Sequence, residues 1–296
     1  MALNEIDYVS GTTGEVFDLE GDIMLGAALG LRSRDWAYSL GSRDIYSQVR
    51  KAREVTLSLY LYRMTDVLDR FMVATDADVR LSKPGWLRVY SEQPTPAHPS
   101  SGRDYNMWRQ RAYIVKSESQ SHYRSADPTV DLTVVLADGV WLHPVENLYR
   151  KRGSGSTSAY LDYPYDYPYD YAGMQDIAQV TNPDPSPAPV SITFYGPCTD
   201  PYVTVAGNTY QLNGVTVPAG SRVEVDGTGE PKSIVMISEN GDRTDLFDKG
   251  VRGTGLDSGT YIFQPLPSGT HTISWSGGFD FTFWVNLQRS EPPWIS

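Results

Sequence analysis

The segment Asp162–Tyr171 constrains the fold more than any other stretch of this 296-residue chain. It repeats the unit Tyr-Pro-Tyr-Asp two and a half times, just past the middle of the sequence. Proline has no backbone N–H and blocks both a helix and a central strand, so the segment is predicted to be extended and partly exposed. A stiff spacer between two domains is the simpler interpretation. The alternative is a tyrosine-rich surface that docks a partner, because tyrosine is enriched at interfaces.

The repeat and the proline-rich run Asn182–Pro189 separate two halves of different character. We therefore expect an N-terminal domain over residues 1–150, a Tyr/Pro-rich joint over 151–190 and a C-terminal β-sandwich over 191–296. The candidate joint or interface residues are Tyr163, Pro164, Tyr165, Tyr167, Pro168, Tyr169 and Tyr171.

The N-terminal half predicts one helix packed on antiparallel strands. A stripe of apolar residues at helical spacing places the helix at about Met64–Asp78. Alternating apolar residues make Glu54–Leu61 the clearest strand, and a hairpin is predicted between Ile6 and Leu19. Arg32–Gln48 is polar with scattered aromatic residues and is predicted to be a loop. The predicted fold class is therefore mainly β, with an α+β N-terminal domain.

The C-terminal half predicts strands alone. Short apolar runs separated by glycine turns every 8–12 residues or so are typical of a β-sandwich. Turns are predicted at Ala206–Asn208, at Asn213–Gly214 and at Asn240–Gly241. An Asn-Gly pair between alternating apolar residues favours a tight hairpin turn, and Asn213–Gly214 is predicted to be one.

Composition excludes several classes of protein. The formal net charge of -11 argues against wrapping a nucleic-acid backbone, which needs clustered Lys and Arg. No apolar run approaches the roughly 18 residues of a membrane span, and the first residues do not resemble a secretory signal. The single cysteine, Cys198, excludes an internal disulfide and any cysteine-based metal cluster. No glycine-rich phosphate loop opens a helix, so nucleotide binding is not expected.

A search for catalytic chemistry finds no coherent set of residues. His98, His122, His143 and His271 are scattered, without the spacing of metal ligands. Cys198 follows a Gly-Pro turn with no histidine nearby, which makes it a turn residue rather than a nucleophile. The acidic run Glu239–Asp245 faintly resembles a calcium loop, but the Asn-Gly hairpin explains it better. We therefore predict no catalytic, metal or cofactor site, and a protein that is not an enzyme.

Several stretches in a fixed order resemble the distal tail proteins of long-tailed, non-contractile phages. Ile192–Tyr202, Gly207–Leu212 and Phe263–Gly269 are similar to parts of the C-terminal domain of that family, and the Tyr-Pro-Tyr-Asp repeat is similar to its joint region. Arg53–Leu59, one helix, Gly85–Val89, a long loop, paired strands and Gly139–Trp141 follow its N-terminal order. The resemblance covers nearly the whole chain.

This resemblance implies a structural virion protein at the distal tip of the tail, made in the cytoplasm of the bacterial host. Its N-terminal, tail-tube-like domain would close a ring, expected to be a hexamer. Its C-terminal domain would be a galectin-like sandwich outside the ring. The implied partners are the major tail tube protein, the tail-tip protein and receptor-binding components. DNA would pass through the lumen without specific binding, which suits an acidic chain.

The ring contacts are expected in the N-terminal half. The predicted loops Arg32–Gln48 and Pro94–Gly102 are long enough to reach neighbouring subunits. Two other function classes remain open. A galectin-like sandwich could act as a carbohydrate-binding module on host glycans, with Trp275, Trp284 and Tyr261 as candidate stacking residues, although aromatic residues on strands are usually core. A cell-wall hydrolase is disfavoured, because no acid, base or metal set accompanies it.

Overall fold

Strands dominate the computed structural model, which describes residues 5–19, 24–27, 31, 33–61, 66–90, 107–119, 129–151, 178–229 and 231–292. The chain divides into a first unit, Met1–His143 with Gln288–Ser296, and a second unit, Pro144–Leu287. The mainly β fold class is confirmed, with one α-helix among the described residues. Within those same ranges, none of the helical structure is long and apolar enough to cross a membrane.

The first unit contains nine strands and helix α1, and strand β10 begins in it. In chain order these are β1 (Glu5–Val9), β2 (Val16–Asp18), β3 (Met24–Ala27), β4 (Ala37–Leu40), β5 (Ile45–Val49), β6 (Arg53–Leu61), α1 (Asp66–Arg80), β7 (Gly85–Tyr90), β8 (Met107–Ser119), β9 (Thr129–Leu136) and β10 (Trp141–Tyr149). Seven strands form an antiparallel sheet in the order β3-β6-β9-β8-β7-β1-β2, and β10 joins β8 through Leu142 opposite Arg109. The predicted hairpin between Ile6 and Leu19 is confirmed as the β1–β2 pair.

The helix predicted at about Met64–Asp78 is confirmed as α1, Asp66–Arg80. Its buried face carries Phe71, Ala74, Thr75 and Asp78, which recur at the spacing of one helical face. Acidic residues in the first turn and Arg80 in the last turn complement the helix dipole. The Phe71 ring meets the rings of Tyr8 and Phe17 edge-on, at 6.1 and 5.2 Å between ring centres, which fixes the helix on one side of the sheet.

Strand β6 follows the predicted alternation closely. Val55, Leu57, Leu59 and Leu61 are all buried, while the residues between them are half-buried or exposed. Leu57 and Leu59 lie opposite Leu132 and Val130 of β9, so the two strands deliver one apolar face to the core of the first unit. The predicted strand Glu54–Leu61 is therefore confirmed.

The loop predicted over Arg32–Gln48 is wrong for its second part. Ala37–Leu40 and Ile45–Val49 pair as a two-stranded antiparallel hairpin, β4–β5, closed by a hydrogen bond from the Gly41 N–H to the Asp44 carbonyl at 2.8 Å. Sequence pattern missed these strands because neither face is buried, so no alternation of apolar and polar residues marks them. The other loop of interest, Pro94–Gly102, lies outside the described residues.

The second unit contains the rest of β10 and eleven further strands. These are β11 (Gln179–Asn182), β12 (Val190–Tyr195), β13 (Cys198–Thr199), β14 (Tyr202–Val205), β15 (Asn208–Gln211), β16 (Thr216–Val217), β17 (Arg222–Asp226), β18 (Ser233–Ile237), β19 (Arg243–Asp245), β20 (Gly269–Trp275) and β21 (Phe281–Arg289), with a 3-10 turn at Phe247–Lys249. The last two residues of β21 belong to the first unit.

Two antiparallel sheets of the second unit share one apolar core. One has the order β19-β18-β17-β12-β21, the other β11-β20-β14-β15, and β13 pairs with β16. Ile192, Phe194 and Phe283 from the first sheet and Val203, Tyr210 and Ile273 from the second belong to a single buried cluster. A core filled from two facing sheets makes this unit a β-sandwich.

Of two turns predicted in the sandwich, Ala206–Asn208 is confirmed and Asn213–Gly214 is wrong. Ala206 and Gly207 join β14 to β15 in a two-residue turn with φ of 50° and 79°, as the predicted Ala206–Asn208 turn requires. Asn213–Gly214 is not a hairpin turn, because the strands on either side pair with β14 and β13 instead of with each other. The Asn-Gly pair favours a hairpin turn, but the pairing of β15 and β16 with other strands prevents one here.

Candidate interaction sites

The predicted joint residues lie outside the described part of the structure. Tyr163, Pro164, Tyr165, Tyr167, Pro168, Tyr169 and Tyr171 fall within the undescribed range 152–177. Their role in spacing or docking stays a prediction.

The three candidate glycan-stacking residues lie on separate elements of the second unit. Trp275 ends β20, and its ring packs edge-on against Phe281 at 5.2 Å and beside Tyr149 at 5.9 Å. Trp284 is a half-buried residue in the middle of β21, opposite Ser191. Tyr261 is half-buried in the segment before β20, where Lys232 donates to its hydroxyl at 3.2 Å. Their sugar binding stays a prediction.

The two histidines that the structure describes, His143 and His271, lie against backbone carbonyl oxygens. Nδ1 of His143 lies 2.8 Å from the Met107 carbonyl oxygen. The His143 ring stacks on Trp108 at 5.1 Å. Nε2 of His271 lies 3.2 Å from the carbonyl oxygens of Pro267 and Ser268. His98 and His122 lie outside the described residues. Within the described ranges, no group of three or more His, Cys, Asp or Glu side chains could hold a metal ion.

The acidic run Glu239–Asp245 and the Cys198 thiol both lie in the second unit. Asn240 and Gly241 form the turn between β18 and β19, in which the Ser238 N–H donates to the Asp242 carbonyl at 2.9 Å; the hairpin interpretation of the acidic run is confirmed. Burial raises the pKa of the Cys198 thiol to about 11, so the neutral thiol dominates at neutral pH.

A buried carboxylate in the first unit is the most highly connected polar group that the sequence did not reveal. Asp78 is completely buried on α1. Its Oδ2 accepts from the Tyr8 hydroxyl at 2.8 Å and the Gly11 N–H at 3.2 Å. Its Oδ1 accepts from the Ser10 hydroxyl at 2.9 Å and the Thr12 N–H at 2.7 Å. Four donors converge on one side chain, which holds the β1–β2 turn against the helix.

This arrangement changes the chemistry of Tyr8. Burial, and then the hydrogen bond to Asp78, raise the pKa of the Tyr8 phenol far above its usual range. Gly85 passes directly against this ring, where an added Cβ would overlap the Tyr8 hydroxyl. The Tyr8 and Asp78 side chains are both buried and bonded to each other, which indicates a structural role. A lone aspartate two residues before the end of a helix gives no sequence signal for such a role.

The β4–β5 hairpin presents the largest group of exposed apolar side chains among the described residues of the first unit. Every residue of β5 is exposed, and β4 is exposed from Tyr38 onward. The exposed fractions reach 71% for Leu40, 55% for Tyr46 and 46% for Ile45. The apolar residues of this hairpin surface are Trp36, Tyr38, Leu40, Ile45, Tyr46 and Val49. Several exposed apolar side chains on one hairpin make it a candidate interaction surface.

Two arginines on the sheet of the first unit are held by carboxylates. Arg88 forms a two-pronged ion pair with Asp7, at 2.6 Å from Nε and 2.7 Å from Nη2. Arg111 donates from Nε to Asp138 at 2.8 Å, and its own N–H donates to the other carboxylate oxygen at 3.1 Å. These two guanidinium groups are committed to protein carboxylates rather than presented to an external anion.

One of the clefts in the second unit lies between the β14–β15 turn and the segment before β20. It has a volume of about 190 Å³. Its polar walls are internally paired, because Asn208 bonds both the N–H and the carbonyl of Tyr261 and Gln264 bonds both the backbone N–H and a carboxylate oxygen of Asp257. These hydrogen bonds hold the surrounding loops together, and we call this the β14–β15 cleft.

Comparison with solved structures identifies the fold. A chain of the phage P2 baseplate in its activated conformation with Ca matches with a TM-score of 0.56 and 10% identity, covering 98% of this chain and 99% of that chain. A chain of the phage p2 baseplate in its activated conformation with Sr matches with a TM-score of 0.57 and 11% identity over the same shares. The crystal structure of SPP1 Dit (gp 19.1), a paradigm of hub adsorption apparatus in Gram-positive infecting phages, matches with a TM-score of 0.44 and 11% identity over 97% of this chain and 99% of that chain.

These matches rest on three-dimensional structure. No family model matches the sequence, and no curated protein matches it significantly. The chain has the fold of a phage baseplate protein over almost its whole length, and at this low identity the agreement concerns the fold.

Proposed function

We propose that this chain is a structural protein of a phage tail tip, which forms a ring at the distal end of the tail and joins the tail tube to the host-adsorption apparatus. The observation that carries the proposal is the agreement in fold with a chain of the phage p2 baseplate over 98% of the sequence. The ordered motifs that resemble distal tail proteins, which were recognised from sequence alone, point to the same position in the virion.

The β4–β5 hairpin supports the ring. An isolated two-stranded hairpin is marginally stable in water, and this one exposes both of its faces. Its apolar side chains gain stability only when another surface covers them. In a closed ring every subunit offers the same pair of unlike surfaces, so one protruding hairpin per subunit suffices to join neighbours. We assign a second copy of this chain as the occupant of the hairpin surface.

The charge distribution supports passage of DNA without binding. The net charge of -11 repels a phosphate backbone. The cations that lie on the sheet of the first unit include Arg88 and Arg111, which are paired with Asp7 and Asp138. A DNA-binding surface needs clustered basic groups free to contact phosphates. These pairs fit a channel wall that leaves the nucleic acid unbound.

The finer assignment follows the family resemblance. The partners would be the major tail tube protein on one side and the tail-tip protein on the other, with receptor-binding components carried or positioned by the ring. The second unit would be the galectin-like domain outside the ring. The three-part division at 150 and 190, with the Tyr/Pro-rich joint between the domains, belongs to the same proposal.

Imaging and mass measurement of the full-length protein test the ring. Negative-stain images and mass photometry at increasing concentration should show six-fold rings in equilibrium with monomers. Leu40→Ser combined with Ile45→Ser should abolish the rings, because it removes apolar contacts from the hairpin surface. The matched control is Leu256→Ser, which changes an apolar residue that is 62% exposed in the second unit. A strictly monomeric wild type at high concentration would overturn the ring, and rings that survive the double substitution would overturn the role of the hairpin.

The joint can be tested in the same assay. Pro164→Gly with Pro168→Gly removes the backbone restriction of the Tyr-Pro-Tyr-Asp repeat, and the reduced stiffness should lower the yield of rings. Tyr165→Ser with Tyr169→Ser keeps the prolines and tests the alternative docking role. Unchanged assembly of both variants would contradict a role of this segment in assembly.

A further inference from the structure

The second unit contains another cleft, at the start of β14, whose walls differ from those of the β14–β15 cleft. It has a volume of about 210 Å³ and lies where β13, the β13–β14 connection and the β20–β21 connection approach the start of β14. Its lining residues are Cys198, Thr199, Asp200, Tyr202, Ser276, Gly278 and Phe279. This volume is below the roughly 300–1,000 Å³ of pockets for drug-sized ligands, so the cleft suits one small ring.

Asp200 is held in place and still has a free acceptor. Its backbone is in the left-handed region, with φ of 45°, which is uncommon for a residue other than glycine. Its N–H donates to the Val215 carbonyl at 2.8 Å, and its Oδ1 accepts from the Val215 N–H at 2.9 Å. Over the described residues, no protein donor bonds Oδ2. One carboxylate oxygen therefore fixes the turn, and the other remains available to a ligand.

The cleft has two aromatic residues, of which Phe279 is buried and Tyr202 is accessible. Phe279 is 5% exposed and packs against Phe194 and Phe281, at 5.9 and 6.1 Å between ring centres. Tyr202 begins β14 and is 40% exposed, although its backbone is fixed opposite Gln211. A large ring left on the surface by a strand that is otherwise well packed is available for stacking.

Small polar groups complete the cleft. The Ser276 hydroxyl oxygen accepts from the Gly278 N–H at 3.3 Å, which leaves its own proton to donate elsewhere. Thr199 adds a second exposed hydroxyl, 3.5 Å from that of Thr216. The Cys198 thiol is neutral at neutral pH because burial raises its pKa. The cleft thus offers one carboxylate acceptor, two hydroxyls and one aromatic face.

This set of groups selects a class of ligand. An anion is disfavoured by Asp200 and by the net charge of -11. A quaternary ammonium would use the carboxylate, but cages for that group are built from several aromatic faces, whereas one is accessible here. A sugar ring matches best, because its C–H face stacks on an aromatic ring while its hydroxyls donate to a carboxylate and exchange hydrogen bonds with protein hydroxyls.

We propose that this cleft binds one neutral sugar residue of a glycan, with its ring against Tyr202 and its hydroxyls on Asp200 and Ser276. The site differs from the candidates Trp275, Trp284 and Tyr261. It also does not depend on the ring, because every lining residue belongs to the second unit.

The test uses the full-length protein with free glucose, galactose and N-acetylglucosamine as probes, and choline and inorganic phosphate as competing ligand classes. Saturation-transfer NMR detects binding, and titration gives Kd. At least one sugar should bind, with Kd in the range of about 1–10 mM. Tyr202→Ala and Asp200→Asn should each weaken it by about tenfold or more, whereas Tyr202→Phe should keep most of the affinity. Asn at position 200 retains the acceptor for the Val215 N–H and tolerates the left-handed backbone, which protects the fold.

Two controls make the result decisive. Tyr60→Ala, at a tyrosine that is 47% exposed on β6, should leave sugar binding unchanged. Thermal melting shows whether each variant is folded. The proposal is overturned if no sugar binds, if Tyr202→Ala binds as tightly as wild type, or if choline or phosphate binds in place of sugar. Ring formation is measured separately, so failure of one proposal does not imply failure of the other.

Discussion

The hydroxyl of Tyr8 donates a 2.8 Å hydrogen bond to Oδ2 of Asp78, across 70 positions of sequence. Strand β1 and helix α1 are joined by this bond inside the core of the first unit, where both side chains are buried. The same carboxylate also accepts two backbone N–H groups of the β1–β2 turn. The aspartate therefore does for the turn what a capping residue does for a helix terminus.

Replacing Asp78 should destabilise the first unit strongly. Asp78→Ala leaves two buried hydroxyls, those of Tyr8 and Ser10, without their acceptor, and each such donor costs about 1–3 kcal/mol, so we expect a loss of at least about 2 kcal/mol in the free energy of unfolding. Asp78→Asn should cost somewhat less, because it keeps one acceptor oxygen. Urea denaturation followed by tryptophan fluorescence measures both. Asp76→Ala, on the exposed face of the same helix, is the control, and an equal effect of the two alanine variants would contradict the proposed role.

The raised pKa of Tyr8 predicts loss of stability at alkaline pH. The phenol stays protonated in the folded protein, whereas in the unfolded chain it ionises near pH 10. The stabilising contribution is therefore complete below about pH 10 and is lost as pH rises from there toward the folded-state pKa, with a slope of up to about 1.4 kcal/mol per pH unit. The same holds for Tyr210, whose pKa is raised by burial.

Tyr8→Phe removes one of these titrating groups. The variant should lose about 1 kcal/mol at pH 7, because a hydrogen bond to Asp78 disappears, but its stability should fall less steeply above pH 10 than that of the wild type. Urea midpoints measured between pH 8 and about 11.5 give the slopes. Tyr38→Phe, at a residue 55% exposed on the hairpin surface, serves as the matched control. Parallel curves for wild type and Tyr8→Phe would refute the assignment.

The Cys198 thiol should react slowly in the folded protein. With its pKa raised to about 11 by burial, the thiolate fraction at pH 8 is on the order of a thousandth, against roughly a quarter for an ordinary thiol. Alkylation by iodoacetamide at pH 8 should therefore be slower by roughly two hundredfold in the folded than in the urea-unfolded protein. The rate should rise as pH increases toward 11. Because Cys198 is the sole cysteine, mass spectrometry of the intact chain gives the rate directly, and equal rates in both states would be incompatible with this environment.

The Arg88–Asp7 pair should not tolerate lysine. Arg88 makes two parallel bonds to Asp7, and the side chains are 24% and 14% exposed. Lysine can make one such bond at most, so Arg88→Lys should lower stability by about 1–2 kcal/mol. Arg80→Lys changes an exposed pair within α1, in which the side chains are 71% and 73% exposed, and should have no measurable effect. Thermal melting of both variants settles the comparison, and an undiminished melting temperature for Arg88→Lys would argue against the two-pronged pair.

The elements that the sequence predicted well are those whose periodicity is created by burial. The β6 strand and α1 each bury one face, so their apolar residues recur at the period of a strand and of a helix. The short strands of the sandwich were recognisable from their spacing and glycine turns. The order of these elements also carried the resemblance that the structural comparison confirms at the level of the fold.

What the sequence could not predict depends on contacts between distant residues. The β4–β5 strands bury neither face, so no period marks them. Asn213–Gly214 has the composition of a hairpin turn, yet its flanking strands find other partners. The cleft proposed to bind a sugar is assembled from two segments separated by more than seventy residues of sequence, Cys198–Tyr202 and Ser276–Phe279. No local pattern encodes such a meeting.

The exposed β4–β5 hairpin has a consequence for how a ring would grow. A two-stranded hairpin without a covering surface is only marginally ordered on its own, so docking and ordering of the hairpin become one event. In the proposed ring, each earlier contact orders one hairpin and also costs the free motion of one subunit, whereas the contact that closes the circle orders the last hairpin without a further loss of that motion. Assembly of such a ring would favour free subunits and complete circles over open arcs. The hairpin would therefore couple its own ordering to the completeness of the assembly.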